Sequence, residues 1–178
     1  MPTVFTHAAV AVGLARLLPL DRVPARFWWL TVLCAVLPDF DAITFRLGIP
    51  YASLWGHRGI THSLAFAAVV GLVVAGLAQP LPGRPRWQPA AWLAFATATH
   101  PLLDMLTNGG LGVALLAPLS NERYFLPWRP VRVSPVGAGF FSLRGLATLL
   151  SELQWLILPL VLMLGTSRLR RRPQPPKP

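Results

Sequence analysis

The chain has 178 residues, of which 54% are hydrophobic and only 12% charged, with a mean hydropathy of +0.54. That charge content is about half the ~25% of an ordinary soluble domain. It excludes a disordered chain, which carries far less apolar surface, and it leaves too few charged side chains to solvate a soluble globule. The net charge of +10 is spread without a basic stripe, so nucleic-acid binding is not expected. Apolar membrane spans with arginine in the loops account for both numbers. The one cysteine, Cys34, excludes a disulfide framework and a thiolate metal cluster; inside an apolar run it reads as a small packing residue.

A membrane-crossing helix needs about 20 mostly apolar residues. Five stretches come close: 3–20, 27–45, 63–81, 89–106 and 146–164. The first two are short or interrupted. Segment 109–119 is apolar but about half a span long, which predicts a re-entrant or interfacial piece. The first span has no basic region before it, and His7 stands where a signal peptide is most apolar, so no cleaved signal is expected. The expected fold class is all-α: a polytopic integral membrane protein of about four to five membrane-embedded helices. Residues 1–165 form its one domain, and 166–178 form a basic, proline-rich tail expected to be disordered.

Lysine and arginine favour the cytoplasmic side of a membrane. With the tail inside, five spans place ten of the 16 basic residues inside. Arg46, Arg58, Arg123, Arg129, Arg132 and Arg144 fall outside. The seven tryptophans mostly lie near span ends, as an interfacial belt would.

Ionisable residues within or beside spans are expensive and usually mark function. In this topology His7 opens the first span, and Asp39 and Asp41 close the second. His57 and His62 precede or open the third, and His100 and Asp104 close the fourth. All four histidines and three of the four aspartates therefore lie at one depth, on the outer side. Taken singly, each has a plain reading as an interfacial or helix-end group. Together they have the composition of a metal site, since imidazole and carboxylate suit zinc, iron, nickel or manganese. His100 and Asp104 are four apart and share a helix face. His57 and His62 lie in His-Arg-Gly-Ile-Thr-His-Ser, where Thr61 or Ser63 is placed to cap the next helix. Asp39 and Asp41 are two apart and would face opposite ways on an α-helix. Either the segment is extended, or one binds metal and the other orients a histidine. Arg58 is placed to neutralise an anionic substrate group. Glu152, inside the last span, stays open between a buried neutral carboxyl and a group behind the ligands.

The order His7, Leu-Pro-Asp-Phe-Asp at 37–41, His-Arg-Gly-Ile-Thr-His-Ser at 57–63 and His-Pro-Leu-Leu-Asp at 100–104 resembles the YdjM-type family. These are bacterial and archaeal inner-membrane proteins described as metal-dependent hydrolases. That family is in turn similar to the zinc-dependent phospholipase C and P1 nuclease group, all-helical enzymes that cleave phosphoesters at a multinuclear zinc site. The resemblance implies a helical core of that kind. The further histidine and glutamate ligands of the wider group have no counterpart here except Glu152, so one or two divalent ions, zinc first, are expected rather than three.

The expectation is therefore a metal-dependent hydrolase of the inner membrane, acting on a phosphoester, plausibly in a lipid, with the bilayer as its partner. His7, Asp39, His57, His62, His100 and Asp104 are the expected metal ligands. Asp41 is expected to orient a ligand or act as base, and Arg58 to hold the anionic group. A metal transporter using the same residues, and a non-catalytic protein with a structural metal, are the alternatives.

Overall fold

The computed structural model describes residues 1–18, 23–79, 81, 83–135 and 137–170, the last three as backbone only. Among these residues the protein is helical, with no β-strand. Two isolated bridges join Thr107 to Val131 and Val113 to Tyr124. Seven α-helices carry the fold: α1 (Val4–Ala15), α2 (Ala25–Val36), α3 (Ile43–Arg46), α4 (Leu64–Ala78), α5 (Trp87–Asp104), α6 (Leu143–Glu152) and α7 (Leu158–Arg170).

Local chemistry sets their ends. Thr3 precedes α1 in an extended conformation, and its hydroxyl accepts the Thr6 N–H. Ser63 does the same for α4, accepting the Phe66 N–H at 3.0 Å, so the capping residue is Ser63 and not Thr61. Between α2 and α3 the chain winds more tightly, as a 3-10 turn over Leu37–Ala42. This resolves the spacing of Asp39 and Asp41: at three residues per turn they point about 120° apart, not the roughly 160° of an α-helix. Both side chains are buried.

α5 packs against α2 and α4, and α1 against α2, α5 and α7. The core is made of small residues and a few large ones: Ala11, Cys34, Ala35 and Ala96 with Phe27, Trp92 and Leu93. Cys34 thus packs, as expected. α6 and α7 join through a π-helical turn at Leu153–Ile157, just before Pro159. A proline ring withholds its N–H and crowds the preceding turn, a common cause of such widening.

The outer surface is oily. Leu77 is 85% exposed, Trp29 74%, Phe5 73% and Leu162 69%, far more than water favours over so wide a face. Two helical stretches are long and apolar enough to cross a bilayer, Ala25–Arg46 with 22 residues and Leu143–Ser167 with 25. α1 and α4 are apolar but have 12 and 15 residues. At 1.5 Å per residue they reach about 18 and 22 Å, short of a hydrocarbon core of roughly 30 Å. Of the five expected spans, two therefore meet the length and composition of a span among the described residues. Segment 109–119 forms turns pinned by the Val113–Tyr124 bridge, not a helix. The last helix runs on through Arg170, and residues 171–178 of the expected tail lie outside the described residues. Trp92 leaves the expected belt: it is buried, and its indole N–H donates to Thr31 at 3.1 Å.

Candidate metal centre

Because the helices alternate in direction, one end of the bundle gathers the start of α1, the turn after α2, the loop before α4 and the end of α5. These deliver, in order, His7, Asp39 with Asp41, His57 with Arg58 and His62, and His100 with Asp104. His7, His62, His100 and Asp104 are fully buried, and Asp39 is 8% exposed.

Five of these residues turn unpaired atoms toward one another. The Nε2 atoms of His7, His62 and His100, both carboxylate oxygens of Asp39 and Oδ1 of Asp104 are buried without a hydrogen bond, while Asp104 Oδ2 is paired with Arg58. Burying such groups unsatisfied costs about 1–3 kcal/mol each, and more for charges. They form two groups that share His100: His7 with Asp39 and His100, and His62 with His100 and Asp104. Within each, one ligand atom per residue lies within 4.8 Å of the others. His7 Nε2 is 3.5 Å from Asp104 Oδ1, and His62 Nε2 is 3.5 Å from Asp104 Oδ2. His100 Nε2 is 3.3 Å from Asp39 Oδ1. Ligand atoms held about 2.1 Å from one tetrahedral ion stand about 3.4 Å apart. The His7 and His100 rings stack at 3.7 Å. The donor set, its separations and its orphaned atoms fit one or two divalent cations with nitrogen and oxygen ligands.

Supporting contacts aim the ring nitrogens inward. His100 Nδ1 lies 2.8 Å from the Ala35 carbonyl, which accepts its proton and leaves Nε2 as the lone-pair nitrogen. Asp41 Oδ2 is 3.1 Å from His62 Nδ1, and it also accepts the Thr61 hydroxyl and the Arg58 N–H. Its other oxygen bonds His57 Nδ1. Such outer contacts fix tautomer and ring orientation in metal sites. Burial lowers the basicity of His62, but the Asp104 and Asp41 carboxylates prevail and hold its imidazolium up to about 9.

Arg58 is the brace of this end. Its φ of +60° lies in the left-handed region, which costs a non-glycine residue about 1–3 kcal/mol. Its guanidinium is 1% exposed: Nε lies 2.8 Å from Asp104 Oδ2, while the terminal nitrogens donate to the Gly109 carbonyl and the Thr107 hydroxyl. All three nitrogens thus face protein groups. Gly110, at φ +88°, permits this approach, since a Cβ there would fall 2.8 Å from the Arg58 terminal nitrogen.

Of the six expected ligands, five meet in these groups. His57 stands beside them, bonded to Asp41, and lines a cavity of about 330 Å³ with Val4, Phe5, Phe45 and Phe140. Two further residues hold this end together: Glu152, whose place in the last span marked it without a partner, and Arg123, which had no signal in the sequence. Glu152 accepts the Thr3 N–H at 2.6 Å, the Thr3 hydroxyl at 2.7 Å and the Thr6 hydroxyl at 2.6 Å, fastening the start of α1. Arg123 donates to the carbonyls of Tyr51, Ser53 and His57, bracing the loop that carries the histidines.

Oily helices around a buried histidine–aspartate centre define a helical membrane protein with a candidate metal site. The chain belongs to the YdjM inner membrane protein family, which matches residues 1–172; membership bears out the resemblance carried by the four motifs and places the protein in the inner membrane. It is similar to Inner membrane protein YbcI of Escherichia coli (strain K12), at 40% identity over 179 residues, covering 97% of this chain and 100% of that protein. No solved structure matches.

Proposed function

We propose that this protein is a membrane-bound, metal-dependent hydrolase that cleaves a phosphoester, with a membrane lipid as its substrate. The observation that carries the reading is the convergence of three imidazole Nε2 atoms and two carboxylates, all buried, with Asp104 Oδ2 held by Arg58 and the other atoms without a hydrogen bond. His7, Asp39, His62, His100 and Asp104 would hold one or two divalent ions, zinc first. A bound ion of that kind supplies Lewis acidity toward a phosphoryl oxygen and acidifies a water. Asp41 orients His62 and His57, and Arg58 fixes Asp104. His57 stands on the cavity wall with Nδ1 held by Asp41, which leaves Nε2 to hold or pass a proton. The cavity's aromatic walls suit an alkyl chain better than a hydrated solute. The site faces the outer side if the basic tail is cytoplasmic.

The second reading is a structural metal site, and the full burial of four of the five ligands favours it, since structural sites are closed and catalytic ones keep an open position. One experiment separates the two. The protein is purified in detergent, its metals are measured by elemental analysis, and it is assayed on bis(p-nitrophenyl) phosphate and on phospholipid, with and without chelator. The hydrolase reading expects stoichiometric metal and turnover that chelator and His100→Ala both abolish. Stoichiometric metal with no turnover of either substrate establishes the structural reading, and metal-free wild type overturns both.

A further inference from the structure

The end of the bundle away from the histidines carries a second feature, independent of any metal. α1 ends there, and α2 and α5 begin there, bringing Arg16, Arg26, Arg84 and Arg86 together. Among the described residues this end has no carboxylate: Asp39, Asp41, Asp104 and Glu152 all sit at the other end, and Glu122 lies in the loop beyond α5. In the same place a cavity of about 470 Å³ opens beside the first turns of α5. That volume lies within the roughly 300–1,000 Å³ of small-ligand sites. Its walls are Leu18, Leu81, Trp92 and Phe95, and Arg84 is the charged residue among its lining. No described carboxylate pairs with Arg84. Trp87, 68% exposed, stands at the rim, and Phe95, 44% exposed, opens the lower wall toward the oily exterior. From Trp87 to His100 along α5 is about 20 Å at 1.5 Å per residue, so this cavity is separate from the metal centre.

We propose that this cavity is a binding site for one anionic phospholipid, with an acyl chain between Leu18, Leu81, Trp92 and Phe95 and the phosphate on Arg84. Each element answers one part of such a molecule. The apolar walls take the chain, at the depth where α5 faces the bilayer. An exposed tryptophan sits where headgroup meets hydrocarbon. An arginine with no carboxylate partner among the described residues offers a planar, two-pronged donor to a phosphate. Arg86 and the arginines of α1 and α2 add a positive field that favours anionic over zwitterionic headgroups. A protein helix or a neutral apolar ligand would fill the walls but leave Arg84 unanswered.

The test is native mass spectrometry of the full chain in detergent, titrated with phosphatidylglycerol or phosphatidylcholine of identical acyl chains. The wild type is expected to retain one phosphatidylglycerol about fivefold more strongly than phosphatidylcholine, the preference that one arginine confers at about 1 kcal/mol for a net-negative over a zwitterionic headgroup. Arg84→Gln is expected to lower that ratio to the smaller preference left by the surrounding arginines, and Ala91→Trp, which fills the cavity, to lower retention of both lipids. Arg144→Gln, at the far end, should leave the preference in place. Circular dichroism checks that each variant keeps its helices; should Ala91→Trp fail this check, Arg84→Gln alone decides. Equal retention of the two lipids by wild type overturns the proposal. So does an equal loss in Arg84→Gln and Arg144→Gln, which would mark diffuse attraction, or a copy of the chain in place of the lipid.

Discussion

Thr3 donates both its backbone N–H and its hydroxyl to the carboxylate of Glu152, 149 positions later in the chain. The contact ties the last long helix to the residues just before His7. A carboxylate accepting three short hydrogen bonds in a buried setting is a strong fixture. It sits at the upstream edge of the π-helical turn, where the helix is already widened.

The first prediction follows from that tie. Glu152→Ala leaves the Thr3 N–H and two hydroxyls buried without an acceptor, at a cost of about 1–3 kcal/mol. Because α1 then loses its anchor, His7 moves relative to Asp104, and bound metal falls below the wild-type ratio. Glu152→Gln keeps one acceptor oxygen and should fall between the two. Thermal unfolding in detergent and elemental analysis of the same samples check both effects; an unchanged melting temperature in Glu152→Ala contradicts the tie.

A second prediction concerns the ligands. His62 and His100 each present a buried, unpaired Nε2, so His62→Ala or His100→Ala should abolish stoichiometric metal. His100→Ala should do most harm, because His100 belongs to both candidate groups. Cys34→Ala, in the core beside α5, should keep its metal, since Cys34 only packs. Retention of metal by both histidine variants would remove the centre.

The third prediction separates a ligand from the group that aims it. Asp41 touches the Nδ1 atoms of His57 and His62, whereas Asp39 offers two unpaired oxygens. Asp41→Asn should weaken metal affinity about 10- to 100-fold, as losses behind metal ligands do. Asp39→Asn should abolish tight binding. Competition titration with a chromophoric chelator measures both, and equal losses would place Asp41 among the ligands.

The sequence made the centre legible because charge is scarce in this chain. With so few ionisable residues, their gathering at span ends was visible before any contact was known. His100 and Asp104 share a face because helical spacing demands it. The pairing of Asp39 and Asp41 was open, since only the 3-10 winding after Pro38 decides that both turn inward. Arg58 read as a substrate contact because nothing local shows that Thr107, Gly109 and Asp104 surround it. The partners of Glu152, and the role of Arg123 altogether, were invisible for the same reason: the contacts are separated by most of the chain or by long loops. Two of the five expected spans meet span length among the described residues, and hydropathy did not show where the shorter helices end because it measures apolar length alone. Arg16 caps α1, and Gln79 closes α4 in the left-handed conformation at φ +42°, well before a bilayer's thickness is reached.

The fourth prediction tests how the helices that carry the centre are held. Lipid offers little hydrophobic drive for helix association, so close packing of small residues does more of that task. α4 and α5 meet at Gly71, where an added Cβ would lie 2.5 Å from both the Ala90 carbonyl oxygen and the Ala94 nitrogen. These are backbone atoms and cannot rotate aside. Gly71→Ala must therefore push the helices apart, and Gly71→Val further, with overpacking costs of about 1–3 kcal/mol. Gly76, on the same helix, has nothing within 4 Å of its Cβ position. Gly76→Ala should be neutral or stabilising by up to about 1 kcal/mol, from the gain in helix propensity. Ala94 lies six residues before His100, about 9 Å along α5, so the displacement at Gly71 should reach the centre and lower its metal affinity as well. Melting temperature and metal content measured across the three variants give opposite outcomes for the two glycines. A similar response at both positions would show that helix propensity, not close approach, sets the packing of α4 on α5.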